Sequence, residues 1–169
     1  MCCTEQSGEN IAYNICKRLE KYNYQIDGVG GKLSEKYFTN KYFDISIFKS
    51  LGFIEIILSI PKFIKIINFL LFKILNNKYD LVILIDSPDF NYQLAKKLKK
   101  NNFNKKIIQI VAPTVWAWRE GRAKKFSLVY DEILTLFKFE KKYFEKYGLK
   151  TTFIGHPVSQ INSNFTETN

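Results

Sequence analysis

Residues 81–91, Leu-Val-Ile-Leu-Ile-Asp-Ser-Pro-Asp-Phe-Asn, constrain the fold more than any other stretch of the chain. Five consecutive apolar residues, with β-branched Val82, Ile83 and Ile85 among them, read as a strand buried on both faces. Such strands belong to parallel sheets covered by helices. The run stops at Asp86. Open α/β sheets hold their ligands outside the carboxyl ends of the strands. A carboxylate at that place points into a crevice and suits a base. Pro88 then sets a turn, and Asn91 leads into a helical pattern.

The rest of the chain repeats that grammar. Ile11, Ile15 and Leu19 share one face of a helix expected over 11–22, preceded by a small-residue turn at Ser7-Gly8-Glu9. Residues 24–29 read as a short strand ended by Gly30-Gly31, and the region of Ile45 and Ile47 as another. Helices are expected over 92–100, 123–130 and 138–147, and strands over 106–111, 132–136 and 152–154. Alternating strands and helices of these lengths predict an α/β fold, a Rossmann-like parallel sheet with helices on both faces. A unit of this type begins with a strand feeding its first glycine loop. Here that first strand is truncated to Cys2-Cys3 or absent. One domain over 1–158 is expected, with a polar, frayed tail over 159–169.

Residues 51–75 are the most apolar part, yet Glu55, Lys62, Lys65 and Lys73 interrupt them and Pro61 breaks them. Glu55, Ser59, Lys62 and Lys65 recur at helical spacing as one polar stripe, which predicts two amphipathic helices hinged at Pro61. Two readings stand side by side. The segment is an insertion facing a membrane, dipping into a lipid surface with lysines at its edge. Or it packs against the sheet or a further domain.

The chain of 169 residues is 46% hydrophobic and 25% charged, which excludes a disordered chain. Its net charge of +10 attracts anions: nucleic acid, a phosphorylated substrate or an acidic lipid surface. Helix-turn-helix, zinc and aromatic RNA-binding signatures are missing, so nucleic acid is not an expected partner. Cys2, Cys3 and Cys16 form no metal-ligand spacing with the one histidine, His156, and suggest a reducing compartment. The start Met1-Cys2-Cys3-Thr4 has neither the basic end nor the apolar core of a signal peptide.

Three blocks then point to a family. Ile85-Asp86-Ser87-Pro88-Asp89-Phe90-Asn91, Pro113-Thr114-Val115-Trp116-Ala117-Trp118-Arg119 with Arg122, and Gly155-His156-Pro157 resemble lipid-A-disaccharide synthase. Glu5-Gln6-Ser7-Gly8-Glu9, Gly28-Val29-Gly30-Gly31 and Phe139-Glu140 fit the same pattern. Thr4 stands where the family has Gly, and Glu9 where it has Asp. The resemblance implies a GT-B glycosyltransferase with two Rossmann-like domains facing a cleft, needing no metal and no cofactor. It implies transfer from UDP-2,3-diacylglucosamine to 2,3-diacylglucosamine 1-phosphate, giving a tetra-acylated disaccharide 1-phosphate and UDP. The expected location is cytoplasmic, peripherally on the inner membrane surface. The chain resembles only the acceptor-side half. The donor-binding carboxyl-terminal domain is expected to be absent, with a separate chain as one source of it, and the chain alone is expected not to turn over. A basic, non-catalytic module binding the membrane surface or the acceptor lipid is the alternative.

The expected chemistry rests on Asp86, which would take the proton from the acceptor 6-hydroxyl as it attacks the anomeric carbon. Burial beside a strand end raises the basicity of a carboxylate. The competing role for Asp86 is to cap the following helix. Ser7, Gly8 and Glu9 sit at a helix start and suit a phosphate or sugar-hydroxyl contact. Gly30 and Gly31 allow close approach of backbone to substrate, or make an ordinary turn. Asn91 touches substrate or caps its helix, and Asp89 caps it too. Trp116, Trp118, Arg119 and Arg122 form an aromatic-basic cluster suited to the acceptor's 1-phosphate, sugar or acyl chains. His156 shapes a turn or hinge.

Overall fold

The computed structural model describes residues 1–48, 53–115 and 120–156, with the backbone alone for 53–59 and 120. Among the described residues seven parallel strands form one sheet: β1 Cys2–Cys3, β2 Asp27–Gly30, β3 Asn40–Asp44, β4 Leu81–Ile85, β5 Lys106–Ile110, β6 Glu132–Thr135 and β7 Lys150–Phe153. Their order is β3-β2-β1-β4-β5-β6-β7. The chain therefore builds outward in one direction from β1 to β3, then returns to β1 and builds outward in the other. The place where the order reverses, between β1 and β4, is the switch point at which open α/β sheets hold ligands. The α/β, Rossmann-like expectation is met.

The helices are α1 Gln6–Glu20, α2 Phe53–Asn76, α3 Pro88–Lys100, α4 Glu120–Ser127 and α5 Lys141–Glu145. Alternation along the strands sends Val82 and Leu84 to one face, where Ile66, Ile67 and Leu70 of α2, Leu94 and Leu98 of α3, Phe126 of α4 and Phe144 of α5 meet them. Ile85 and Ile110 point the other way, to Ala12 of α1. Both faces are thus covered, one by four helices and one by α1. Each fully buried Leu or Ile contributes about 1.5–3 kcal/mol relative to exposure.

The first strand is indeed only two residues long, yet it fills the centre of the sheet. Cys2 aligns with Val29 on one side and Leu84 on the other, and Cys3 with Ile85. The Met1 carbonyl accepts from Val29 N at 3.0 Å, and the Met1 amino group donates to the Asp27 carbonyl at 2.7 Å. Gly28 is obligatory here, because a Cβ on it would lie 1.8 Å from the Met1 carbonyl oxygen.

Several boundaries differ from expectation. α1 begins at Gln6, so Ser7-Gly8-Glu9 forms its first turn instead of a loop before it. Ile45 and Ile47 lie in a 3-10 turn, Ile45–Phe48, and the strand is the preceding Asn40–Asp44. The Asp44 carboxylate accepts from Ser46 N at 2.9 Å and turns the chain out of the sheet. Residues 138–147 divide into a 3-10 turn, Lys138–Glu140, and α5. The two helices hinged at Pro61 are one continuous helix, Phe53–Asn76. Pro61 is exposed within that helix, and its missing N–H takes one hydrogen bond out of the ladder without ending it. Lys62 and Lys65 are exposed as the polar stripe requires, while the side chains of Glu55 and Ser59 lie outside the described residues. Residues 51–52 and the tail 159–169 lie outside them as well.

Candidate active site

At the switch point the ends of β1 and β4 meet across a hydroxyl and a carboxylate. Ser7 Oγ, in the first turn of α1, donates to Asp86 Oδ2. Asp86 Oδ1 accepts from Ser87 N at 3.0 Å. Gly8 makes this approach feasible. A Cβ on Gly8 would lie 3.0 Å from Cys3 Sγ, 3.1 Å from Ile85 Cγ2 and 3.2 Å from Asp86 Cβ, tighter than ordinary contact. A second chain of contacts runs beside the first: Thr4 Oγ1 donates to Ser87 Oγ at 2.5 Å, and Ser87 Oγ to Glu5 Oε1 at 2.5 Å.

The backbone at this corner is left-handed, with φ of 57° at Asp86 and 39° at Ser87. Non-glycine residues rarely adopt it, and each such residue costs about 1–3 kcal/mol unless its surroundings impose it. Asp86 is half-buried, and its bond with Ser7 is exposed, just past the carboxyl end of β4. It does not cap α3. The capping position is Ser87, whose side chain makes no capping bond.

The other expected site residues separate into two groups. Glu9 is buried, 1% exposed. Its carboxylate accepts from Gly31 N at 2.8 Å, Leu33 N at 3.0 Å and Ser34 N at 2.9 Å, with Ser34 Oγ at 3.1 Å. Glu9 therefore holds the turn after β2 and does not face the crevice, a correction to its expected substrate contact. Gly31 is packed against that carboxylate, and Gly30 against Ser34 and Phe38. The double glycine is needed there for close packing within the chain. Asn91 is fully buried and donates through Nδ2 to the Asp86 carbonyl oxygen at 2.6 Å, so neither of its two expected roles, substrate contact or cap, holds. Asp89 sits exposed in the first turn of α3 and pairs with Arg122. Trp116, Ala117, Trp118 and Arg119 lie outside the described residues, as does Pro157. The His156 ring lies 5.9 Å from that of Phe137, after Gly155 with φ of 79°.

Gln109 is the residue that sequence reasoning passed over. It is fully buried near the end of β5, and its Nε2 lies 2.9 Å from the Asp86 carbonyl oxygen. The available signal was one amide in the otherwise apolar run Ile107-Ile108-Gln109-Ile110-Val111. A cavity lined by Met1, Asp27, Tyr42, Tyr79 and Leu81 lies at the opposite, amino-terminal end of the strands.

The family model for lipid-A-disaccharide synthetase matches residues 1–169. The lipid-A-disaccharide synthase of Rickettsia typhi is 42% identical over 156 residues, 91% of this chain and 41% of that protein. That of Rickettsia canadensis is 42% identical over 158 residues, 92% of this chain and 41% of its own length. That of Rickettsia conorii is 44% identical over 137 residues, 80% of this chain and 31% of its own. The chain spans about two fifths of the length of the first two relatives. A parallel sheet in this order, an acid at its switch point and a match over the whole length agree: the chain belongs to the lipid-A-disaccharide synthetase family.

Proposed function

We propose that the chain is the acceptor-side half of a glycosyltransferase of lipid A assembly. Its reaction joins UDP-2,3-diacylglucosamine to 2,3-diacylglucosamine 1-phosphate and releases the disaccharide 1-phosphate and UDP. One observation carries the reading: the Ser7–Asp86 contact across the switch point, on a backbone held left-handed. In the proposed step the acceptor 6-hydroxyl gives its proton to the Asp86 carboxylate. Its oxygen forms the bond to the anomeric carbon, and the bond from that carbon to UDP breaks, with the electron pair leaving on UDP. Ser7 and the Ser87 N–H keep the carboxylate aimed while the acceptor hydroxyl takes a remaining lone pair. Gly8 brings the α1 amino terminus to the same place, where backbone N–H groups favour a sugar oxygen or phosphate. Gly30 and Gly31 shape the wall beside it. Arg119, Trp116 and Arg122 are assigned to the acceptor's 1-phosphate and sugar, and Arg122 must leave Asp89 to reach them.

The donor half is supplied by further polypeptide, in the same chain or another. The cytoplasmic face of the inner membrane is the proposed working surface. Supporting this, α2 exposes Ile60, Ile64, Phe72 and Leu75 beside Lys62 and Lys65. No helix among the described residues is long and apolar enough to cross a membrane. The same face favours a second reading, a module that binds the membrane surface or the acceptor lipid without turnover.

The test joins this chain to the carboxyl-terminal three fifths of the Rickettsia typhi relative and follows UDP release. The joined protein is expected to turn over, and the 169-residue chain alone is not. Asp86→Asn in the joined protein should lower kcat about 10²–10⁴-fold with acceptor binding nearly intact. Unchanged kcat removes Asp86 from the base role. Acceptor binding without any turnover favours the second reading.

A further inference from the structure

We propose that Gln109 is a positioning residue for Asp86, its buried amide clamping two left-handed strand ends so that the carboxylate faces the crevice. The inference rests on the catalytic reading of Asp86 above, and its first test does not need that reading.

Gln109 Nε2 lies 2.9 Å from the Asp86 carbonyl oxygen, 3.1 Å from that of Ile110 and 3.1 Å from that of Val111. Two N–H bonds are thus shared among three carbonyls at the ends of β4 and β5. Val111 has φ of 71°, a conformation that its branched side chain strongly disfavours. Asp86 has φ of 57° on the neighbouring strand. One side chain therefore ties together both strained points. From the other side Asn91 Nδ2 reaches the same Asp86 carbonyl oxygen at 2.6 Å, so that oxygen accepts two amides. The orientation of both amides follows from their partners, because a flipped amide would set oxygen against carbonyl oxygen.

The amides are costly where they stand. Asn91 Oδ1 and Gln109 Oε1 are buried without a hydrogen-bond partner among the described residues. Two orphaned acceptors beneath one carbonyl offset part of what the amide donors contribute to stability. Departures of this kind are expected at functional sites. The arrangement fixes the direction in which the Asp86 Cα–Cβ bond leaves the sheet, and Ser7 and Ser87 N then fix the carboxylate itself.

The first measurement uses the chain as it is. Gln109→Met keeps length and apolar bulk and removes the donors, and Gln109→Asn keeps an amide too short to reach Asp86. In either folded variant the backbone 13C shifts of Asp86, Ser87 and Val111 should move away from left-handed values, while those of Ile133 and Phe144 stay and Tm changes by only a few degrees. Unmoved shifts at Asp86 and Val111 in the folded variants overturn the proposal. The second measurement places Gln109→Met in the joined protein of the preceding test. There kcat should fall about 10- to 100-fold, as a small misplacement of a reacting group does, with acceptor KM within about twofold. A full kcat in Gln109→Met beside an inactive Asp86→Asn overturns the positioning role. Were Asp86→Asn itself fully active, the catalytic reading would fall while the backbone result for Gln109 would stand.

Discussion

At the scale of single residues, Glu9 shows how a charged side chain can be structural. Three backbone N–H groups and the Ser34 hydroxyl converge on its buried carboxylate. Charge-assisted bonds of this kind are about twice as strong as neutral ones. Glu9→Gln keeps the volume but turns an NH2 group toward N–H donors, leaving buried donors unmatched. We expect it to lower unfolding stability by about 2–3 kcal/mol, read from the urea midpoint at unchanged slope. A midpoint equal to that of the parent chain would mean that the turn after β2 holds without Glu9. The residue's presence at the site's edge was legible in the sequence, and its role was not. Its partners lie 22 to 25 positions away, and only the fold decides whether a carboxylate meets substrate or backbone. Asn91 illustrates the same point: three residues into a helix it reads as a cap or a contact, and the sheet end beneath it makes it a prop. Asp86 was legible because an acid that closes a doubly buried parallel strand falls where such sheets meet their ligands.

Elements were legible where periodicity was unbroken. β4 and β5 fall where their apolar runs predicted, because after an exposed first residue each strand is buried or half-buried on both faces. α2 was misdivided, since Pro61 removes one backbone donor from the helix without ending it. β1 was the least legible element, two residues long, and the one whose integrity is easiest to test. Burial pushes the Cys2 thiol up to about 12 and the Cys16 thiol up to about 11. Cys3 rises by the same cause. At pH 8 the thiolate fraction of each is then about 10⁻³ or less, and only the thiolate reacts. All three thiols should resist an aromatic disulfide reagent for as long as the chain is folded. All three should react together on adding guanidinium. Early reaction of Cys2 and Cys3 alone would show β1 leaving the sheet while the rest persists, the behaviour of a separate low-stability unit.

At the scale of the whole molecule, charge and the α2 face act in one direction. The chain carries a net charge of +10, and α2 runs back along the sheet from the carboxyl end of β3 to the start of β4. Its first half therefore lies on the crevice side, and Phe63 packs with Phe48 and with Phe90 of α3, four residues after Asp86. A lipid surface meeting Ile60 and Ile64 would lie beside the crevice, where the acyl chains of a lipid-linked acceptor could stay in the bilayer while its sugar reaches Asp86. Each lysine near an anionic surface adds about 1 kcal/mol, and the attraction decays within a Debye length of about 10 Å at 0.1 M salt. The chain should thus sediment with anionic vesicles at low salt and be released as salt rises. Ile64→Asp combined with Lys65→Glu, both at exposed positions, should weaken that binding about 10-fold or more while leaving Tm nearly unchanged, because neither side chain belongs to the core. Retention on neutral vesicles should be weaker but still sensitive to Ile64→Asp, since that part of the contact is apolar burial. If the double variant binds anionic vesicles as the parent does, the attraction comes from the overall charge and α2 is not the contacting face.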